Sequence, residues 1–277
     1  NGQTRNKLAR LLPDGTLDPN FNPQIGPTSA IVGAIAVDSQ GRIVIGGSFT
    51  SVDGATRNRI ARLNEEGTND ATFTPGSGST GGATGGNVLA IAIQPNGQII
   101  IGGQFTQVNA VARNRLARLE SNGILDTTFT AGVSAVQTVG VLAIILDSQN
   151  RILLGGAFTT VNSTSHRNIA RLNSDGTLDT TFTNTNTNGF VWSIALQSDG
   201  KIIMGGEFTA TWNTDRNRVA RLNGDSSLDT SFDVGGGANN IVFSVALQGN
   251  NTIIGGRFTA FNGVQRGRIA RLFGANF

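Results

Sequence analysis

Arginine carries the most conspicuous chemical pattern in this sequence. Of the 21 basic residues all but Lys7 and Lys201 are Arg, and 16 of these Arg lie in six copies of one short segment. A guanidinium group is planar and makes paired hydrogen bonds to carboxylates and phosphates. The pattern therefore fits two kinds of chemistry. One is a set of internal ion pairs, and the other is a cationic surface for acidic polysaccharide, lipopolysaccharide or phosphate.

The first Arg series belongs to an A-R-L motif. Five of its Arg are followed, eight residues later, by an Asp in an L-D-x-x-F motif or a close variant. Two antiparallel strands joined by a tight turn would place such side chains within reach of a paired Arg–carboxylate contact. We therefore predict structural pairs, namely Arg10–Asp18, Arg62–Asp70, Arg118–Asp126, Arg171–Asp179 and Arg221–Asp229.

The second Arg series has no repeated acidic partner and is the better candidate for a binding surface. It comprises Arg57, Arg113, Arg216 and Arg266, and His166 occupies the same position in one further copy. As the only His, with no nucleophile in motif context, His166 is predicted to be a surface substitution rather than part of a catalytic triad. Trp212 lies in a predicted loop, where it could stack on a sugar ring or pack within the loop.

Other site chemistry is not indicated. The chain has no Cys, which excludes disulfides and thiol nucleophiles. The Asp-Gly turns lack the spacing of a calcium loop, and Gly81–Gly86 lacks the G-K-[ST] end of a phosphate loop, so it is predicted to be a flexible insertion. No catalytic residue, metal or cofactor is predicted. The pI of about 10.5 at a net charge of +3 reflects the scarcity of groups that titrate between the carboxylates and the bases, so nucleic acid is not expected as a partner. No apolar run is long enough for membrane insertion.

These residues are set in a repeat. A G-G-x-F motif occurs five times, and its first Gly precedes the A-R-L Arg by 16 residues in every copy. Short apolar runs, Asn- and Gly-containing turns and the absence of helical periodicity predict a four-stranded antiparallel meander of about 50 residues per copy. The Gly pair implies close approach of a neighbouring backbone or a bulge.

The meanders predict an all-β fold, a five-bladed β-propeller. We number the repeats 1 to 5, and their approximate limits are residues 22–73, 74–129, 130–182, 183–232 and 233–277, preceded by N-terminal strands at 5–21. We expect one domain over 1–277.

The third strand occurs six times, once more than a five-bladed ring requires. We expect pairing of N- and C-terminal strands to close the ring, with the surplus copy, at Arg5–Leu11 or Arg266–Leu272, displaced or paired with another molecule. Because the sequence begins with Asn1, it is expected to be a processed product or a segment of a protein with further repeats.

The combined motif, V-x-A-I-A, then G-G-x-F-T-x-V-N, R-N-R-x-A-R-L-N and L-D-x-x-F, resembles the delta-60 repeat over essentially the whole chain. One copy departs from it with His166-Arg167-Asn168, and Trp212 replaces the Asn or Asp of the V-N position. The resemblance implies a β-propeller of a large secreted or surface protein of bacteria, without assigned catalytic residues.

Three functional hypotheses follow. The first is a non-enzymatic extracellular or cell-surface module with a structural or adhesive role, whose partners are other surface proteins or copies of itself. The second is a multivalent lectin-like propeller that binds glycans. The third, a glycosidase, needs paired carboxylates in unique positions, whereas most carboxylates here lie in repeated turns. We therefore expect no enzymatic activity.

Overall fold

In the computed structural model, residues 2–75, 82–135, 139–183 and 185–273 are described, and their regular elements are all β-strands. The chain divides into two compact units, residues 1–130 and 131–277. Repeats 1 and 2 lie in the first unit, and repeats 3 to 5 lie in the second.

The first unit contains twelve strands. They are β1 (Ile25–Gly26), β2 (Val32–Val37), β3 (Ile43–Gly47), β4 (Ser51–Val52), β5 (Ala55–Thr56), β6 (Ile60–Leu63), β7 (Ala83–Thr84), β8 (Val88–Ile93), β9 (Ile99–Gly103), β10 (Gln107–Val108), β11 (Val111–Ala112) and β12 (Leu116–Leu119).

The second unit continues the same pattern. Its strands are β13 (Val133–Ser134), β14 (Gly140–Leu146), β15 (Ile152–Ala157), β16 (Thr160–Val161), β17 (Thr164–Ser165), β18 (Ile169–Leu172), β19 (Val191–Leu196), β20 (Ile202–Gly206), β21 (Ala210–Thr211), β22 (Thr214–Asp215), β23 (Val219–Leu222), β24 (Val242–Gln248), β25 (Asn251–Gly256), β26 (Ala260–Phe261), β27 (Val264–Gln265) and β28 (Ile269–Leu272).

Each repeat has a main sheet of three antiparallel strands. Its middle strand ends in the Gly pair, its first strand precedes the turn, and its third strand carries A-R-L. The strand orders are β2-β3-β6, β8-β9-β12, β14-β15-β18, β19-β20-β23 and β24-β25-β28. Each repeat also has a small hairpin next to the G-G-x-F motif, such as β4-β5 in repeat 1, which β1 extends to three strands.

The predicted fourth strand is reduced to one bridge. In repeat 1 this bridge joins Leu63 and Asn69, and no further strand pairing follows it among the described residues. The other copies have the equivalent single bridge. The Asp70 backbone carbonyl accepts a hydrogen bond from the Phe73 N–H, which bends the chain away from the sheet. The described main sheets therefore have three strands rather than the four expected.

The third strand is shorter than predicted. In the last copy the predicted segment is Arg266–Leu272, and the strand covers only β28. Repeat 2 shows the reason at Arg115, whose φ of 63° lies in the left-handed region just before β12. The hairpin strand β11 belongs to a different sheet from β12, so the chain must turn between them.

The N-terminal copy differs again. Over Arg5–Leu11 the structure has no strand, and only Leu11 forms a bridge, with Leu17. The five other third strands each pair with the second strand of their own repeat. The insertion Gly81–Gly86 is not uniformly irregular either, because within it Ala83–Thr84 forms β7 against β10, while Gly81 lies outside the described residues.

The two glycines of the G-G-x-F motif have separate roles. A Cβ on Gly46 would lie 2.5 Å from Val88 Cγ1 in the first strand of the next repeat. A Cβ on Gly47 would meet the carbonyl oxygen of Ile31 in its own repeat, beside the bulge that shifts the register between Val32 and Ala34. The first Gly thus permits contact between repeats, and the second accommodates a bulge within one.

Phenylalanine fills the core. The Phe of each G-G-x-F motif is buried, and the Phe that ends an L-D-x-x-F motif packs into the core of the repeat that follows. Four members of the second group show this, namely Phe21, Phe73, Phe182 and Phe232.

Candidate functional site

The predicted Arg–Asp pairs are ion pairs in the structure. The Arg Nε donates to the Asp Oδ2 in each, at 2.8 Å for Arg10–Asp18 and 2.7 Å for the other four. Four pairs are buried, whereas the Arg10 side chain is 35% exposed. Antiparallel pairing of the main sheet and the single bridge after it position these side chains.

The second Asp oxygen fixes the bend that follows. Asp126 Oδ1 accepts hydrogen bonds from the backbone N–H of Thr128 at 2.9 Å and from its hydroxyl at 2.6 Å. Burial raises the pKa of Asp126, but the hydrogen bonds from Thr128 and Arg118 outweigh it and hold the pKa below its ordinary value. Asp126 is therefore ionised near neutral pH, where it accepts hydrogen bonds and is unsuited to proton transfer.

The guanidinium group also stacks on an aromatic ring. Arg62 Cζ lies 4.9 Å from the ring centroid of Phe73, and the other four pairs have the same arrangement within 0.2 Å. Such cation–π contacts stabilise a buried guanidinium. Arg, Asp and Phe together form what we call the Arg–Asp–Phe unit.

Three of the Arg–Asp–Phe units, those of Arg10, Arg62 and Arg171, also bind the repeat that follows them. Arg62 Nη1 donates to the Ser121 carbonyl of repeat 2 at 2.5 Å, and Arg171 Nη1 donates to the Gly224 carbonyl of repeat 4 at 2.6 Å. Arg10 makes the equivalent bond to the Glu65 carbonyl. The guanidinium donors of these three Arg are thus taken up by their own repeat and by the next one.

The second Arg series occupies another environment. Arg57, Arg113, Arg216 and Arg266 directly follow a small hairpin and donate to the preceding backbone carbonyl at 2.8–3.0 Å. They are partly or fully exposed. The structure places one of these cations in each of repeats 1, 2, 4 and 5, and their binding role stays a prediction.

His166 is not at the surface. Its side chain is only 5% exposed, and its Nδ1 is buried without a hydrogen-bond partner among the described residues. Burial lowers its pKa, so the imidazole is held neutral. The prediction of a surface substitution was therefore wrong, since the imidazole is buried where the Arg residues of the other repeats are half-buried or exposed.

Trp212 is anchored as well as exposed. It is 36% exposed, and its indole Nε1 donates to the Ser226 carbonyl at 2.7 Å. In repeat 3 the corresponding Asn162 donates to the Gly176 carbonyl, so Trp212 replaces an Asn in bracing the turn after the third strand. The contact with Ser226 agrees with packing within the loop, and stacking of Trp212 on a sugar ring stays a prediction.

A cluster that the sequence interpretation missed lies on the first strands of repeats 4 and 5. Phe243 is 37% exposed and packs edge to face on Trp192, with ring centroids 5.3 Å apart. Trp192 Nε1 donates to Glu207 Oε1 at 2.9 Å, and Arg257 lies over the Phe243 ring at 5.4 Å. We call these four residues the aromatic–charged patch.

The patch is made by residues that depart from the repeat. Glu207 and Arg257 occupy the variable position of G-G-x-F, where repeats 1 to 3 have Ser48, Gln104 and Ala157. The signal that could have identified it is this joint departure in two adjacent copies. An exposed aromatic ring between a carboxylate and a guanidinium offers an apolar surface, an acceptor and donors together.

Two clefts form a second feature of interest, and one lies in each compact unit of the chain. The first lies between repeats 1 and 2 and has a volume of about 430 Å³, and the second lies between repeats 3 and 4 with about 330 Å³. Their linings correspond position by position in the repeat. Each contains an Asp–Arg pair on one side and a Gln on the other, namely Asp38, Arg42 and Gln94, and Asp147, Arg151 and Gln197.

Metal-binding clusters and membrane-spanning helices are both absent from the described residues. They contain no group of three or more His, Cys, Asp or Glu side chains arranged to hold a metal ion. No helix in the described ranges has the length and apolar character needed to cross a membrane.

Several solved structures are similar to this chain in fold. A chain in the nidogen/laminin complex is 13% identical with a TM-score of 0.50, over 91% of this chain and 82% of its own. A protein of unknown function from Bacteroides caccae is 13% identical with a TM-score of 0.47, over 90% and 80%. The WD40 β-propeller domain of Doa1 is 15% identical with a TM-score of 0.43, over 87% and 78%. At these identities only the fold is informative. No curated protein sequence matches the chain.

A family profile matches most of the chain. The family is described as "Domain of unknown function (DUF5122) beta-propeller", and the matched residues are 1–21, 39–73, 94–129, 149–182, 197–232 and 248–274. These segments contain the turns, Gly pairs and Arg–Asp–Phe units described above. The chain is therefore a repeat protein that belongs to the DUF5122 β-propeller family.

Proposed function

We propose that this protein is a non-enzymatic structural and interaction module of an extracellular or cell-surface assembly, of the delta-60 repeat type. The observation that carries the proposal is the fivefold Arg–Asp–Phe unit. Its charged groups, which could have formed a catalytic or polyanion-binding surface, are hydrogen-bonded within and between repeats instead. The secreted location rests on the repeat resemblance, and fractionation of the native cells tests it.

The interaction surface of this module is the aromatic–charged patch. Interfaces concentrate binding energy in aromatic and Arg side chains, and Phe243 and Arg257 provide both in contact. Partners are other surface proteins or further copies of the chain. In this patch two aromatic residues of adjacent repeats interrupt the repeated pattern and contact each other.

Adhesion assays test this proposal. Beads coated with the chain are expected to bind one another or the producing cells, and Phe243→Ala with Arg257→Ala should reduce binding severalfold. Val111→Ala, at an exposed apolar residue of repeat 2, is a control on another surface. Turnover of glycoside, ester or lactone substrates by the purified chain would contradict a non-enzymatic role.

The finer architecture that we propose is a five-bladed ring. Five copies of the same three-stranded sheet and the match to a β-propeller family support this architecture. Each sheet would be one blade, with the L-D-x-x-F segment as its outermost part. Small-angle scattering of the native protein distinguishes a ring from an open array.

A second candidate function is multivalent glycan binding. The two equivalent clefts favour it, because a repeated polar site is the arrangement that gives avidity for repeating polymers. A glycan array separates the candidates. Adhesion that is unaffected by competing glycans supports the first function, and saturable glycan binding supports the second.

A further inference from the structure

We infer that the two clefts, between repeats 1 and 2 and between repeats 3 and 4, are equivalent binding sites for the hydroxyl groups of a neutral saccharide. The inference rests on the glycan-binding function proposed above. It adds the position of the sites, the class of sugar and the residues that contact it.

One wall of each cleft presents donors. Arg42 Nε donates to Asp38 Oδ2 at 2.7 Å, and Arg42 makes no other side-chain hydrogen bond in the described part of the chain. Arg151 Nε donates to Asp147 Oδ2 at 2.7 Å. The Arg side chains are 30% and 28% exposed, so the carboxylate fixes each guanidinium while the Arg42 Nη groups and Arg151 Nη2 can donate to a ligand.

The opposite wall presents an acceptor that the fold does not use. Gln94 is 3% exposed, and its Oε1 has no hydrogen-bond partner among the described residues. Gln197 Oε1 is likewise buried and unpartnered in the second cleft. A buried carbonyl oxygen without a donor costs folding free energy, so its occurrence at the same position of two repeats calls for a donor from outside.

The local turn does not explain these Gln side chains. In repeat 1 the equivalent residue, Asp38, uses Oδ1 to accept from the backbone N–H groups of Gln40 and Arg42. In repeat 2 this capping is taken over by Asn96 Oδ1, which accepts from the Gln98 N–H at 3.1 Å. Gln94 is thereby left free of the turn.

Charge balance selects an uncharged ligand. In the first cleft Arg42 is neutralised by Asp38, and Arg62, which also lines it, is neutralised by Asp70. The second cleft has the same composition, and there Arg151 also contacts Asp179. A sugar hydroxyl can accept from a guanidinium and donate to a Gln Oε1 at once, which a carboxylate or phosphate cannot do.

The remaining surface suits a pyranose ring. Ile93 and Ile99 line the first cleft, and Leu196 and Ile202 occupy the same positions in the second. Aliphatic side chains of this kind can pack on sugar C–H groups. The volumes lie at the lower end of the range of about 300–1,000 Å³ for small-molecule sites, which suits one or two rings of a longer chain.

Titration calorimetry of the native chain with neutral hexasaccharides tests the inference. The probes are mannohexaose, cellohexaose and maltohexaose, with hexagalacturonate as the charged comparison. We expect at least one neutral probe to bind with two sites per chain. Gln94→Met or Gln197→Met should each reduce this to one site, and the double variant should abolish binding.

Two controls separate the sites from other effects. Methionine has nearly the volume of glutamine and removes an unpartnered acceptor, so these variants should fold. Gln98→Met, in the same repeat but bound to Glu120, should retain both sites, as should Phe243→Ala. Absence of binding by every neutral probe, preference for hexagalacturonate, or two sites in the double variant would overturn the inference.

The adhesion assay stays independent of this result. If bead adhesion persists in the Gln94→Met, Gln197→Met double variant while saccharide binding is lost, both conclusions stand. If wild-type beads do not adhere but saccharide binding follows the Gln variants, only the adhesive role fails.

Discussion

The fourth and fifth repeats have nearly the same sequence in their third strands but opposite environments. In repeat 4 Val219 and Arg221 are buried, whereas in repeat 5 the equivalent Ile269 is 63% exposed and Arg271 is exposed. Arg271 stacks on Phe273, two residues later, instead of on a Phe eleven residues later. Burial of a third strand is therefore supplied by the repeat that follows it, and not by the strand's own sequence.

The Gly pair shows the same contrast. A Cβ on Gly205 would lie 2.7 Å from both Val242 and Val245 of repeat 5, while on Gly255 it would meet only Ser244 Oγ of its own repeat. The interface between repeats is thus built from Gly on one side and β-branched residues on the other.

The largest effect is expected from truncating a buried carboxylate. Asp70→Ala leaves the buried Arg62 guanidinium without its charge partner, which should cost about 3–5 kcal/mol of unfolding free energy. Asp18→Ala should cost much less, because the side chain of its partner Arg10 is 35% exposed and can be hydrated. Urea unfolding of the two variants measures the difference, and equal losses would show that burial of the Arg is immaterial.

The next effect concerns the Gly positions. Gly205→Ala should cost about 1–3 kcal/mol because the new methyl group overpacks the contact with repeat 5. Gly255→Ala should cost much less, because a Cβ there would meet only the flexible Ser244 side chain of its own repeat. Thermal unfolding of both variants measures the difference, and equal losses would contradict the role of the following repeat at Gly205.

A smaller, pH-dependent effect is expected at His166, the buried counterpart of the exposed Arg266. Burial lowers the pKa of His166 in the folded chain. Below the unfolded-state pKa of about 6.5 the unfolded chain binds a proton that the folded chain does not, so stability falls as the pH falls. Urea unfolding at pH 7.5 and 5.5 should show this loss in wild type and a smaller one in His166→Gln, whereas identical pH dependence would exclude His166 as its source.

The repeated part of the fold could be predicted because its spacing is constant. The interval of eight residues between Arg62 and Asp70 spans one tight turn, which fixes the partner of each Arg from the sequence alone. Close approach at Gly46 followed from the same periodicity, although only the structure shows that the next repeat supplies Val88 there.

The remaining features depend on contacts that spacing does not encode. The bend at Asp70, which ends the fourth segment after one bridge, arises because its carboxylate binds the Thr72 N–H and hydroxyl as well as Arg62. The patch needs Trp192 and Phe243 to meet across two repeats. Their departure from the consensus was visible, but its meaning required the three-dimensional neighbourhood.

A double-mutant cycle on Arg62 and Asp70 tests most directly that the repeated Arg are structural. The cycle compares the unfolding free energies of wild type, Arg62→Leu, Asp70→Leu and the double variant, with the partly exposed pair Arg10 and Asp18 as reference. We predict a coupling energy of about 2–3 kcal/mol for the buried pair, at the upper end of values for residues in contact, and a much smaller one for the reference pair. A coupling energy near zero for Arg62 and Asp70 would contradict a structural role for the repeated Arg residues and would favour a binding role instead.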